Sequence, residues 1–187
     1  MPLMPFEISI CGIEELEPFE TRGVTHLLSV LDPETPEPES LGLLSPTHRL
    51  QLRFHDVIDI RPGQILVEIE QIRQVLAFGR DLPMADGHLL VHCHAGISRS
   101  TAFTILLLAQ ALPDVPSTEV VAEIVRIRAR SWPNLRIIEL GDEILGRNGS
   151  LVAAVRARHA EYARREPRFV RLMKELGRDR EVEGLIF

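Results

Sequence analysis

The chain has 187 residues, 45% of them hydrophobic and 26% charged, with 13 Pro, 12 Gly and two Cys. Such a chain is expected to form one globular domain, 1–187, with its own core; it is not a disordered segment, a disulfide-held miniprotein or a four-cysteine zinc cage. A formal net charge of −6 excludes general binders of nucleic acid or anionic membranes, which need surplus cations.

Residues 1–7 lack the basic start and apolar run of an export signal. No stretch reaches the roughly 20 apolar residues of a membrane span. The expectation is a monomeric, cytoplasmic protein with neither membrane nor nucleic acid as partner. Twenty of the 21 basic residues are Arg, and they concentrate after residue 126, while residues 1–45 are acidic. Genomic base composition and a basic surface for anions both account for this, and composition does not separate them.

In chain order, Glu7–Cys11 alternates and stops at Gly12, predicting a strand. Residues 14–21 suit a short acidic helix before Gly23. The apolar run 24–31 predicts a buried strand. Residues 32–40, rich in Pro and Glu, cannot continue a helix or central strand and read as a surface loop. Residues 49–54 alternate as a strand with one wet face. Ile65, Ile69, Ile72, Val75, Leu76 and Gly79 recur at helical spacing. Leu89, Leu90 and Val91 form a short strand after the turn at Asp86-Gly87. Residues 100–112 are apolar on every side, which places that helix inside the domain, and Pro113 ends it. Ser117 is the expected cap of a helix running to about residue 130; 135–145 and 151–172 are also predicted helical. Short strands alternating with helical patterns give an α/β fold. Its central, mostly parallel sheet has about four to five strands flanked by helices, with a helix-rich C-terminal half.

The chemistry lies where the last strand meets the buried helix: His92-Cys93-His94-Ala95-Gly96-Ile97-Ser98-Arg99-Ser100-Thr101. A strand delivers Cys93 to its carboxyl end, a short loop follows, and the helix starts near Arg99. Backbone N–H groups of such a loop and first helical turn converge on an anion site. Gly96 lets the loop curl. A thiolate is favoured in that positive field, and Arg99 adds a planar fork suited to two phosphate oxygens. Cys, five residues and Arg make a weak signal alone; the adjoining His92, Gly96, Ser100, upstream strand and downstream helix make it specific.

On these residues the chain resembles the cysteine-dependent protein tyrosine phosphatases, whose signature is His-Cys, five residues, Arg, then Ser or Thr. It is most similar to compact dual-specificity-like and bacterial members. The resemblance implies that Cys93 is the nucleophile and Arg99 the phosphate ligand. It further implies that His94, Ala95, Gly96, Ile97, Ser98 and Arg99 form the phosphate cradle, that Ser100 donates to the leaving thiolate, and that His92 orients the loop. The reaction also needs an acid for the leaving oxygen, in the family an Asp some tens of residues upstream. Asp56 and Asp59 are the candidates. Asp56, directly after the alternating strand, is favoured because neighbouring parallel strands put it on the rim that carries Cys93. No Trp-Pro-Asp motif lies upstream of the cysteine; Trp132-Pro133-Asn134 follows it.

No metal or other cofactor is expected: His92 and His94 alternate across a strand end, with no further ligand at metal spacing. The expected partner is a phosphorylated protein, cleaved through a cysteinyl phosphate at phosphotyrosine, with phosphoserine and phosphothreonine open as further substrates. A small phosphate ester such as a phosphoinositide or nucleotide, and a non-catalytic phosphopeptide-binding module, stay open. The loop lacks Lys, which weakens the polyphosphorylated-lipid alternative. Cys11 is either a buried strand residue or a redox partner of Cys93.

Overall fold

The computed structural model describes residues 2–82 and 85–185; Met1, which begins the N-terminal segment, lies outside them. Four parallel strands make the sheet: β1 (Glu7–Cys11), β2 (His26–Leu31), β3 (His48–Arg53) and β4 (His88–His92). Their order is β1-β4-β2-β3, so the last strand in sequence is inserted between the first two. All six residues of β2 and all five of β4 are buried. Continuous apolar runs rather than alternation follow from having both faces of the sheet covered.

Among the described residues seven α-helices follow or separate the strands: α1 (Glu39–Leu43), α2 (Ile69–Arg80), α3 (Arg99–Ala111), α4 (Ser117–Ile127), α5 (Leu135–Ile144), α6 (Ser150–Arg165) and α7 (Pro167–Glu175). Helix α3 is buried along nearly its whole length, from Arg99 to Ala109. It touches the sheet and packs against α2, α4 and α5, which is why its sequence is apolar on every side. The main core joins Leu28, Val30, Leu89 and Val91 on one sheet face to Phe103, Leu106 and Ile138 of the helices. A second cluster on the other face holds Cys11, Leu16, Leu27 and Leu90. A third, around Trp132, Ala163, Met173 and Val182, ties the C-terminal elements together. Among the described residues no helix is long and apolar enough to cross a membrane.

Several element boundaries differ from the sequence reading. Residues 14–21 form two 3-10 turns, Ile13–Glu15 and Glu17–Phe19, rather than one helix; Pro18 lacks the N–H that would join them. The helix expected from Ile65 starts at Ile69. Glu68 caps it, its backbone N–H donating to Gln71 Oε1 at 3.0 Å, and the Ile65 N–H donates instead to His55 Nδ1 at 2.8 Å. Ser117 is the first residue of α4 rather than its cap, and its hydroxyl lies 2.7 Å from that of Ser150. The helix 151–172 is broken at Glu166-Pro167 into α6 and α7. The loop after β2 ends in α1, starting at Glu39.

Two buried histidines link this packing to pH. His159 stacks on Trp132 at 4.1 Å between ring centroids, and its Nε2 donates to the Pro133 carbonyl at 3.0 Å. Burial and the nearby Arg178 guanidinium push its pKa down to about 3. His92, beside Ser29 Oγ at 2.8 Å, is pushed down to about 4 mainly by burial. The unfolded chain protonates both near 6.5 while the folded chain does not, so stability falls as pH drops from 6.5 towards 4. Urea titrations at pH 7 and pH 5 are expected to show lower stability at pH 5. The drop should shrink in His159→Phe, by up to about 1.4 kcal/mol for each pH unit crossed.

Candidate active site

Because the four strands are parallel, their carboxyl ends share one rim. Cys11-Gly12 ends β1, Asp32 follows β2, Phe54 to Asp56 follow β3, and Cys93 follows β4. Inserting β4 between β1 and β2 opens a crevice at this rim, the usual ligand position in such sheets.

The loop 93–99 is anchored from outside through its carbonyls. The His94 carbonyl accepts from the Ile13 N–H at 2.9 Å. Arg128, just past α4, donates to the Ala95 and Gly96 carbonyls, each at 3.0 Å, and is braced by Glu15 at 2.7 and 3.0 Å. The Ile97 carbonyl accepts from the Trp132 N–H at 2.9 Å and that of Ser98 from the Asn134 N–H at 3.3 Å. The Thr101 hydroxyl adds bonds to both carbonyls at 2.6 and 2.9 Å. With every carbonyl turned outward, the amides face the other way. No N–H from His94 to Arg99 has an acceptor among the described residues. Six such donors in one curl, at the N-terminus of a helix, form an anion cradle.

Gly96 is required twice over. Its φ is +66°, and a Cβ there would lie 2.4 Å from the Cys11 carbonyl carbon. At Gly12, on the facing turn, a Cβ would lie 2.8 Å from the His94 carbonyl oxygen. The loop can curl only because both surfaces are bare backbone.

Cys93 is 2% exposed and borders a cavity of about 180 Å³ that Asp56, Ser98 and Arg99 also line. The Ser100 hydroxyl lies 3.2 Å from the Cys93 sulfur. Arg99 is buried, its Nη1 donating to Asp32 Oδ1 at 2.5 Å and to the Phe54 carbonyl at 2.6 Å. Its Nε–H is buried with no partner among the described residues. Cys93, Ser100, the cradle amides and Arg99 therefore converge as the motif implied. His94 also lines the cavity, its Nε2 3.1 Å from Thr35 Oγ1.

The two candidate acids differ. Asp59 does not line this cavity; both of its oxygens accept from Arg180 Nε, at 2.9 and 3.2 Å. Asp56 does line it, but as a carboxylate. Its Oδ1 accepts from Ser98 Oγ and Asn134 Nδ2, both at 2.8 Å, and its Oδ2 pairs with Arg178 Nη1 at 3.1 Å. Burial alone would raise its pKa, yet Arg178, Arg99 and these donors outweigh burial and hold it below the ordinary carboxylate range. A proton donor in the first step, the role expected of Asp56, does not match this environment. His55, its neighbour in sequence, turns away to Glu34.

Cys11 lies in the cluster on the opposite sheet face from the main core that holds Cys93. Burial, with the Glu15 carboxylate, pushes its thiol up to about 12; it is a free, buried residue at the end of β1. Sequence reasoning missed Asp32, Arg128 and Arg178. Asp32 sat in a stretch read as surface loop, and Arg128 and Arg178 are indistinguishable from 18 other arginines until the fold pairs them.

No family model matches the sequence, and no curated protein matches it. Solved structures do share its fold. Human DUSP28 superposes with a TM-score of 0.57 at 15% identity, over 79% of this chain and 96% of that one. DUSP15 gives 0.54 at 19% identity, over 84% and 95%. PTPMT1, solved in complex with PI(5)P, gives 0.54 at 14% identity, over 75% and 91%. The architecture is thus that of compact dual-specificity phosphatases.

The external bracing can be tested directly. Arg128→Met removes the clamp on two cradle carbonyls and is expected to weaken binding of tungstate, a phosphate-like oxyanion, about tenfold while the protein still folds. Calorimetric titration measures this; unchanged affinity would mean that the loop holds its shape without Arg128.

Proposed function

We propose that the protein is a cysteine-dependent phosphatase that hydrolyses phosphate monoesters, with phosphotyrosine in proteins as its substrate. One observation carries the reading: Cys93 stands at the cavity wall beside six backbone N–H groups without acceptors and a buried Arg99 whose Nε–H is likewise unpartnered. A phosphate group presents the several anionic oxygens that such donors require. The shared fold with solved dual-specificity phosphatases supports the same chemistry.

In the first step the Cys93 sulfur attacks phosphorus and the ester oxygen leaves, giving a cysteinyl phosphate. The cradle amides and Arg99 stabilise the equatorial oxygens in both steps. Water then attacks phosphorus, Asp56 accepts its proton, and the thiolate departs towards the Ser100 hydroxyl. These groups supply nucleophile, charge stabilisation and base without a metal. A free thiol nucleophile suits a reducing, cytoplasmic setting.

A second reading changes only the substrate, to a phosphoinositide. PTPMT1 was solved with PI(5)P, and that is the observation in its favour. Against it stand the absence of Lys from the loop 94–98 and the apolar cavity wall formed by Trp132, Phe169 and Leu172.

Cys93→Ser is expected to lower turnover of p-nitrophenyl phosphate by at least about 10³-fold while tungstate binding persists. Asp56→Asn should slow turnover about 10²-fold and Asp59→Asn less than about twofold. Chelator should leave the rate unchanged. A Cys93→Ser variant with near-normal turnover would refute the nucleophile, and the reverse ranking of the two Asp variants would move the second-step base to Asp59.

A further inference from the structure

The C-terminal segment after α6 reaches back across the site. Arg178 is 2% exposed. Its Nε and Nη2 grip Glu181 at 2.8 and 2.7 Å, and its Nη1 reaches Asp56 at 3.1 Å. Glu181, fully buried, also accepts the Trp132 indole N–H at 2.7 Å and the Leu135 N–H at 2.9 Å. Arg178 is therefore fixed in direction, with its free edge against Asp56.

We infer that Arg178 is a positioning residue that commits Asp56 to the carboxylate form, so that Asp56 serves the attacking water while the first step proceeds without a proton donor. Efficient turnover is then confined to esters with good leaving groups, the aryl phosphates. This rests on the reading of Cys93 as nucleophile.

Geometry carries the inference. Three donors from three separate segments occupy the two Asp56 oxygens, an arrangement that favours the carboxylate over the carboxylic acid before substrate reacts. The charged groups around it act in one direction. Arg178 touches it, and Arg99 lies beside it. The neighbouring acids are engaged elsewhere: Asp32 with Arg99, Glu181 with Arg178 and Asp59 with Arg180. His55 points to Glu34, and His94 to Thr35. Among the described residues that line the cavity, Asp56 is the only carboxylate, and the ring of His94, which also lines it, has its Nε2 3.1 Å from Thr35 Oγ1.

The first step balances without one. The Cys93 thiolate forms the S–P bond, the P–O bond breaks, and the electron pair leaves as phenoxide, which takes its proton from solvent. In the second step water forms an O–P bond, its proton passes to Asp56, the P–S bond breaks to restore the thiolate and release phosphate, and Asp56 gives the proton to solvent before the next ester binds. Phenols ionise near about 10, so phenoxide can leave unaided, whereas an alkoxide from serine or inositol leaves far less readily. The wall beside the cradle agrees. Trp132, Phe169, Leu172, Met173 and Leu176 line the same cavity as Cys93, an apolar surface that suits an aromatic ring better than a polyol.

The test uses the full chain and a series of aryl phosphates graded in leaving-group pKa, with a phosphoserine peptide as the alkyl member. Wild-type kcat/KM is expected to fall roughly fivefold for each unit rise in leaving-group pKa, with the phosphoserine peptide the poorest substrate. In stopped-flow with p-nitrophenyl phosphate, Asp56→Asn should release its first nitrophenolate within about twofold of the wild-type rate, then turn over about 10²-fold more slowly. Arg178→Gln, checked for folding by circular dichroism, should flatten the leaving-group dependence because Asp56 can then already be protonated when the ester binds. A flat wild-type dependence would overturn the inference while leaving the phosphatase reading intact. So would a first turnover in Asp56→Asn that slows together with the steady state, or a folded Arg178→Gln with the wild-type slope. A wild-type protein inactive on every ester would overturn the phosphatase reading and this inference together.

Discussion

A single backbone inversion organises this molecule: five consecutive carbonyls, from His94 to Ser98, face outward and each is claimed by a neighbour. Left to itself such a curl would be unfavourable, because its amides point together and lack partners, at a cost of about 1–3 kcal/mol for each buried group left unsatisfied. The fold imposes it instead. β1 supplies Cys11-Gly12 as a bare surface against which Gly96 can press. The turn after β1 supplies Ile13 and Glu15, the end of α4 supplies Arg128, and the approach to α5 supplies Trp132 and Asn134. Donors already pointing at an anion need not reorganise when one arrives, which is where electrostatic stabilisation in a protein gains over water.

The same residues that brace the loop also hold its carboxylate, and the connections close on themselves. Trp132 donates its backbone N–H to the loop at Ile97 and its indole N–H to Glu181. Glu181 holds Arg178, Arg178 holds Asp56, and Asp56 accepts from Ser98, back in the loop. Removing one member of a buried charge pair typically costs about 3–5 kcal/mol because its partner is left uncompensated. Site geometry and C-terminal packing therefore stand or fall together. This accounts for a polar network threaded through the aromatic cluster of Trp132, Tyr162 and Phe169, where an apolar core would otherwise serve.

The sheet, the buried helix and the loop were legible in the sequence because each rests on local pattern. β2 and β4 show as unbroken apolar runs, α3 as a helix apolar on all sides, and the loop as a motif with fixed spacing. The supports were not legible. Asp32 meets Arg99 across 67 residues and Arg128 meets the Ala95 carbonyl across 33, and nothing near either residue marks it. Asp56 is legible from its place at a strand end, but the environment that favours its carboxylate form is not. That environment belongs to Arg178 and Asn134, which only the fold brings near. Helix ends were misplaced where a side chain decides them, as at Glu68, or where Pro does, as at Pro18 and Pro167.

Charge balance around the cradle explains why two carboxylates can flank an anion site. Asp32 takes part of the Arg99 charge, which on its own would weaken attraction for a phosphate. Yet Asp32 and the Phe54 carbonyl both draw on one nitrogen, Nη1, and so fix the plane of the guanidinium while leaving its Nε–H uncommitted. A fork held in plane loses little freedom when it meets two oxygens, so orientation is gained where bare charge is given up. Asp56 is handled in the opposite sense. Arg178 pairs with its Oδ2 while Ser98 of the loop holds its Oδ1, so an incoming phosphate meets a paired carboxylate rather than an isolated negative charge. The cradle amides, which carry no formal charge and cannot be titrated, are then left as the dominant attraction.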